Sequence, residues 1–230
     1  MKKDFSPLEK IIDLKFKNQD LLRQAFVHRS YINEHPNFEL GHNERLEFLG
    51  DAVLELAVTE YLYEKYDNPE GDLTNWRASL VNSHRLAALA NELGLEPFLF
   101  LSRGEAKDAK SKARQFILAN AFEALVGAIY LDQGLKKARQ FIKEKLLVKL
   151  DSIIADKSYL DPKSYFQESA QEKAGVTPHY QVLKESGPDH DKHFEVGIYL
   201  AKELVAKGVG TSKQEAQVDA ATNAIKAKDW

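Results

Sequence analysis

The sequence predicts two folds in series: an all-α domain over residues 5–156 and a small α+β domain, in the order α-β-β-β-α, over residues 162–230, joined by a linker at 157–161. Three observations lead there. Apolar residues recur at helical spacing from Leu8 to Ile154, and no strand is needed to account for that stretch. Strand-like alternation comes only late, in Phe194, Val196, Ile198 and Leu200. Between the two regimes, Lys157-Ser158-Tyr159-Leu160 marks the change of character.

In chain order, Ser6-Pro7-Leu8-Glu9 has the form of a capping box with proline in the first turn, and predicts a short helix. Asn18 caps a second, whose apolar side is Leu21, Leu22, Ala25 and Phe26 and which closes at His28-Arg29. Tyr31 to Gly41, with Pro36 and little periodicity, reads as a loop leading to an N-cap at Asn43 and a long helix to Glu60. Tyr66 to Asp72 is turn-forming throughout and carries Glu70 in a loop. Helices over Leu73–Val81 and Ser83–Leu93 follow, the second capped by Ser83 and stopped by Gly94. Leu95 to Lys110 has no period and reads as loop. Ser111 to Asp132 is a second long helix ending at Gly134, and Leu135 to Ile154 a single amphipathic one. In the second domain Asp161-Pro162 starts a helix to Lys173, strands run over His179–Glu185, Phe194–Leu200 and Leu204–Val209, and Ser212 caps an alanine-rich last helix.

Bulk properties narrow the function. At 230 residues, 43% hydrophobic and 29% charged, the chain has the balance of an ordinary globular protein. It contains no cysteine, which excludes disulfides, thiolate metal sites and cysteine nucleophiles and fits a reducing compartment. The start, MKKDFSPLEKIIDLKF, is charged throughout and is not expected to be a signal peptide. The longest apolar stretch, Ile117 to Leu131, is shorter than the ~20 residues of a membrane span. A cytoplasmic protein is expected, with no membrane segment and no organic cofactor. A net charge of −3 does not advertise a nucleic-acid binder, so any such binding must use a local basic face.

The segment NERLEFLGDAVLELAVTE, Asn43 to Glu60, carries the chemistry. At about 100° per residue, Glu44, Glu47 and Asp51 fall within an arc of roughly 60°. Like charges at such spacing cost a helix roughly 0.2–0.5 kcal/mol per pair. A cation would offset that cost, and clustered oxygen ligands suit a hard dication such as Mg²⁺ or Mn²⁺. Asn120 and Glu123, one turn apart on the other long helix, can supply a second wall, and a buried carboxylate needs a partner or a metal. On the residues alone, a solvated acidic face held by salt bridges explains the stripe as well. No Ser-His-Asp arrangement, glycine-rich phosphate loop or zinc-type cluster competes.

The wording of these segments goes further. NERLEFLGDAVL resembles the signature of the ribonuclease III family. ILANAFEALVGAIYLD resembles that family's second catalytic segment, and PEGDLTNWRASLV the loop that supplies a further glutamate. The last seventy residues resemble a double-stranded-RNA-binding domain, most clearly at GVGTSKQEAQVDAATNAI. The matches stand in the family's order and span nearly the whole chain.

That resemblance implies an endonuclease that cuts double-stranded RNA with divalent metal, Mg²⁺ or Mn²⁺, leaves 5′-phosphate and 3′-hydroxyl ends, works as a homodimer and processes structured precursors such as ribosomal RNA. By the same correspondence Asp51 and Glu123 are catalytic; Glu47, Asp51, Asn120 and Glu123 hold the main metal; Glu44 and Glu70 assist through a second metal or RNA contacts. Phe48 matches an aromatic that inserts into the partner subunit. Glu55 extends the acidic stripe, but the motif assigns it no role. The RNA-facing residues implied are Ser164, Gln167 and Glu168 on the first helix of the small domain, His190 in its first strand loop, and Lys213 with Gln214 at the start of the last helix.

Two departures stand out. Asn120 occupies a position where the family usually has aspartate, which removes one negative charge from the site and leaves open a protein that binds duplex RNA without cutting it. The basic cluster of the small domain shrinks to Lys213, with Gln214 and Gln217 where lysines are common. With 9 Lys and 11 Asp or Glu over residues 160–230, this domain is expected to bind weakly and with strong salt dependence. A metal-dependent hydrolase of small nucleotides would also need the carboxylates, but it leaves the second domain without a purpose.

Overall fold

The computed structural model describes residues 3–108, 111–156, 159–188 and 192–230. The chain divides into two units, Met1–Tyr159 and Leu160–Trp230. The expected linker at 157–161 begins on two residues, 157 and 158, that lie outside the described ones.

Along the first unit run α1 (Ser6–Ile12), α2 (Gln19–Gln24), α3 (Arg29–Glu34), α4 (Glu44–Lys65), α5 (Glu70–Val81), α6 (Ser83–Glu92), α7 (Arg103–Lys107), α8 (Lys112–Gln133), α9 (Leu135–Lys145) and α10 (Leu150–Ala155). Single 3-10 turns occupy Glu96–Phe98 and Leu147–Lys149. A helix that is apolar on every side must be buried on every side, and α8 is the axis on which α2, α4, α6 and α9 pack. From Ile117 to Ile129 every residue is buried except Asn120 and Glu123, which are half-buried. By length and composition α8 could cross a bilayer, but 61% of its apolar window is enclosed by this unit. Ser111 caps it by accepting the Arg114 amide.

Against α8 lies α4, whose buried side is Leu46, Gly50, Val53, Leu54, Ala57, Val58 and Leu62. Their contact is unusually close. A Cβ on Gly50 would stand 1.8 Å from the Glu123 carbonyl oxygen, and one on Gly127 would stand 2.3 Å from the Leu46 carbonyl oxygen. Main chain therefore meets main chain where the two helices cross. Around that crossing, fully buried side chains such as Leu54 and Phe122 contribute about 1.5–3 kcal/mol each.

Several sequence expectations need correcting. The Ser6–Glu9 capping box does not form: the N-cap is Phe5, the Ser6 amide donates to Asp4 Oδ1 at 2.9 Å, and the Glu9 carboxylate accepts from the Phe16 amide at 2.8 Å and from Gln19 Nε2 at 2.7 Å. The second helix ends at Gln24, and part of the expected 31–41 loop is α3, capped by the His28 ring accepting the Ser30 amide. Asn82 rather than Ser83 caps α6. Residues 95–110 contain a 3-10 turn and α7. The single helix expected over Leu135–Ile154 is broken at Leu146, because a 3-10 turn there lets Leu146, Leu147, Leu150 and Ile153 all reach the core.

The second unit follows the expected order: α11 (Pro162–Ala174), β1 (His179–Ser186), β2 (His193–Leu200), β3 (Glu203–Gly210) and α12 (Lys213–Lys228). The strands form one antiparallel sheet in the order β1-β2-β3, with Val182 opposite Val196 and Val196 opposite Gly208. The alternation of β2 is that of a sheet with one covered face: Phe194, Val196, Ile198 and Leu200 are buried. They meet Phe166 of α11 and the small residues Ala216, Ala220, Ala221 and Ala224 of α12. The alanines let α12 settle directly on β3, where a Cβ on Gly208 would lie 2.1 Å from the Ala220 amide nitrogen. Trp230 closes the core by stacking on Phe166, ring centroids 5.2 Å apart.

Candidate functional site

The close crossing of α4 and α8 brings the polar residues of two helices together. Asn120 and Glu123 open the otherwise buried surface of α8 toward α4, where Glu47 is half-buried and Glu44 and Asp51 are exposed. The Glu47 carboxylate is hydrogen-bonded to the Asn120 side chain, and it also feels the negative charges of Glu44 and Asp51. Burial, then repulsion from Glu44, raise its pKa above the usual carboxylate range. Glu123 is perturbed more: burial first, then the charges of Asp51 and Glu47, push its carboxyl up to about 7. Asp51 and Glu47 on α4 thus bear on Glu123, and Asn120 on Glu47, across the two helices.

Among the described residues, no three His, Cys, Asp or Glu side chains are gathered into a ready-made metal cage. The donor set still fits a hard dication: every available donor is an oxygen, three of them on carboxylates and one on the Asn120 amide. Burial and, after it, neighbouring negative charge hold both carboxyls above the usual range, and a cation would offset the repulsive part.

Glu44 stands at the edge. Its carboxylate lies 3.4 Å from Arg29 Nη1 and 3.7 Å from His42 Nδ1. Glu70 is not brought to this group. It is the first residue of α5 rather than part of a loop, and its carboxylate accepts from Thr74 Oγ1 at 2.8 Å. There it lines a groove of 790 Å³ with Leu62, Tyr63, Leu73 and Arg77. Glu55 is exposed. Phe48 follows Glu47 on α4 yet is 81% exposed, a large apolar surface left uncovered among the described residues. Tyr63, further along the same helix, is 79% exposed.

In the second unit, Ser164, Gln167, Glu168, Lys213 and Gln214 are exposed as an interaction surface requires. The Ser164 hydroxyl donates to Asp161 Oδ2 at 2.9 Å, so part of its capacity serves the start of α11. Lys213 sits over the Phe194 ring, 5.8 Å from its centroid. His190 lies outside the described residues. Gln217 is half-buried and accepts from Lys163 Nζ at 2.7 Å.

Sequence reasoning missed four participants. Gly50 and Gly127 had a signal, since glycine inside a helix needs a packing reason. Lys163 links α11 to α12 through Gln217, and its ammonium lies 5.2 Å from the Tyr180 ring centroid. Arg29, read as the close of the second helix but in fact the start of α3, gave no local hint of its position beside Glu44.

Comparison with known proteins gives two family matches. Residues 18–150 match the model described as Ribonuclease-III-like, and residues 162–228 match the double-stranded RNA binding motif. Ribonuclease 3 of Enterococcus faecalis is 43% identical over 212 residues, covering 92% of this chain and 91% of that protein. Ribonuclease 3 of Streptococcus gordonii is 44% identical over 213 residues with the same coverage. Among solved structures, the nuclease domain of ribonuclease III from Campylobacter jejuni superposes with a TM-score of 0.54 at 37% identity, covering 62% of this chain and 98% of that one; structural flexibility is described there in the region involved in dimer formation.

Proposed function

This chain belongs to the ribonuclease III family and is an endoribonuclease with a double-stranded-RNA-binding domain, and from that premise we propose that it hydrolyses duplex RNA at the α4–α8 site with the help of divalent metal. The observation that carries the proposal is that Glu123 of α8 is raised to about 7 by burial and by the charges of Asp51 and Glu47 on α4, across the crossing of the two helices. Glu47, Asp51, Glu123 and the Asn120 amide oxygen would hold Mg²⁺ or Mn²⁺. A bound dication neutralises charge on the phosphodiester and lowers the pKa of a coordinated water.

The chain's own residues do the rest. Asp51, exposed at the mouth, and Glu123, recessed beneath it, line the place where a scissile phosphate would come to rest. The Asn120 amide holds the Glu47 carboxylate in place without adding charge. Glu44 acts at the edge of the site, and Glu70, on α5 apart from it, assists through RNA or a second ion. Phe48 supplies the anchor of a homodimer, in which two such sites act on opposite strands and leave short 3′ overhangs. Lys213 and Gln214, with the N-terminus of α12, face the backbone phosphates, while Ser164, Gln167, Glu168 and His190 meet the minor grooves of a duplex read by shape. The products carry 5′-phosphate and 3′-hydroxyl ends, and the cellular work is processing of ribosomal and messenger RNA precursors in the cytoplasm.

The test is direct. The full chain is incubated with a long RNA duplex in Mg²⁺ and separately in Mn²⁺, with Glu123→Gln as control. Short duplex products from the wild type alone are expected. Retarded but uncut RNA in both metals would overturn the cleavage reading and leave a binding protein, the alternative that Asn120 motivates.

A further inference from the structure

We propose that Arg29 is a substrate-binding residue, held beside the carboxylate stripe to take a backbone phosphate of the duplex. The inference rests on the endonuclease reading above and adds to it a contact that the acidic motifs do not contain. A site built from Glu44, Glu47, Asp51 and Glu123 repels a polyanion, so substrate approach needs a cation at its rim. Arg29 is a permanent cation the fold puts there, beside His42, 3.4 Å from Glu44 through one terminal nitrogen, with its side chain 68% exposed. A guanidinium has five donors, and the pairing with Glu44 is made through one terminal nitrogen. With 68% of the side chain exposed, its planar fork can be offered to a phosphate.

The main chain around Arg29 is fixed. The Asn43 amide donates to Val27 O at 2.9 Å, and Asn43 Nδ2 donates to Ala25 O at 3.1 Å. On the other side the His28 amide donates to Phe100 O at 3.1 Å, and the Phe100 amide to Phe26 O at 2.8 Å. Residues 25–28 are thereby clamped between the start of α4 and the Phe100 segment. Asn43 is 3% exposed, and burying a carboxamide is costly unless its hydrogen bonds are made. The clamp sets residue 29 beside residue 44, so the arginine is positioned by the backbone on which the carboxylate stripe itself begins. Ser30 Oγ reinforces it, lying 2.8 Å from His28 Nδ1 and accepting the Ser102 amide at 3.1 Å.

An Arg29 that served only to orient Glu44 would act through that residue. One that binds RNA would not, and the two are separable. Cleavage of a short duplex is measured with Arg29→Ala, Arg29→Lys, Glu44→Gln and the Arg29→Ala/Glu44→Gln pair in the full chain. Duplex affinity is measured in the Glu123→Gln background across a salt series. Arg29→Ala is expected to raise KM and Kd about tenfold, to lower the slope of log K against log salt by about one, and to leave kcat within about threefold. Arg29→Lys should keep the slope, and the alanine effect should persist with Glu44→Gln present. Unchanged Kd and salt slope, or an alanine effect that disappears in the Glu44→Gln background, would overturn the inference. A wild type that binds duplex without cutting it would sink the cleavage reading, while the Kd comparison would still decide the role of Arg29.

Discussion

Gly50 lies against the main chain of Glu123 so closely that a methyl group there would stand 1.8 Å from the Glu123 carbonyl oxygen. The distance between the two halves of the site is therefore set by backbone contact. Gly50→Ala should force α4 and α8 apart and cost about 3 kcal/mol or more, with cleavage lost in parallel. Urea unfolding checks it. Gly71→Ala on α5 is the control, since nothing lies within 4 Å of the added Cβ; it should be neutral or slightly stabilising.

Asn120 tests the charge of the site. Asn120→Asp adds a fourth carboxylate beside Glu47 and removes an amide that now hydrogen-bonds to it. The half-saturating Mg²⁺ concentration for cleavage should fall about tenfold, a gain of about 1.4 kcal/mol in metal binding. Without metal the same variant should melt earlier than wild type. Coincident Mg²⁺ titrations would rule out the charge argument.

The pH dependence of the metal-free protein follows from Glu123. Its folded pKa of about 7 lies above the ordinary 4.5, so between those values the folded state binds more protons than the unfolded one. Stability accordingly falls as pH rises from about 4.5 to about 7 and is flat above. After allowance for solvent screening of a partly exposed group, the loss is about 1–2 kcal/mol. Unfolding curves in EDTA at pH 5 and pH 8 should show it, and Glu123→Gln should remove most of the difference.

Phe48 should matter to association and not to the fold of one chain. With 81% of its surface exposed, Phe48→Ala has no core to lose, and the melting of the isolated subunit should hardly change. Sedimentation velocity is expected to shift toward monomer at micromolar protein. A variant that stays dimeric at every accessible concentration would show that the dimer is anchored elsewhere.

In the small domain, Lys213→Ala in the Glu123→Gln chain should weaken duplex binding several-fold and lower the salt slope by about one. Gln214→Lys should do the reverse, because an exposed position beside Lys213 gains a phosphate contact without losing any packing. Electrophoretic mobility at two salt concentrations separates these outcomes.

Much of this was legible in the residues. The long helices, the strand alternation of β2 and the carboxylates at Glu44, Glu47 and Asp51 all follow from local periodicity, which tertiary packing here reinforces. The illegible parts depended on contacts remote in sequence. Glu9 abandons a local capping box for the Phe16 amide, and α3 is too short to have a period. Leu135 to Ile154 keeps a helical apolar pattern even though its axis breaks at Leu146, because the pattern records burial and not straightness. Glu70 looked like a loop residue since Pro69 and Gly71 flank it, whereas proline just before a helix is compatible with helix initiation.

The crossing at Gly50 and Gly127 also constrains which second changes could rescue a damaged site. The atoms opposing each missing Cβ are carbonyls of the facing helix, at Glu123 and Leu46. No side chain on the far side can be shortened to make room. An added methyl at either glycine should therefore have no suppressor among truncations across the interface, and reversion at the same codon should dominate any selection for restored activity. Asn120 is in the opposite position: its neighbours are side chains, so its chemistry can be exchanged while the helices stay where they are.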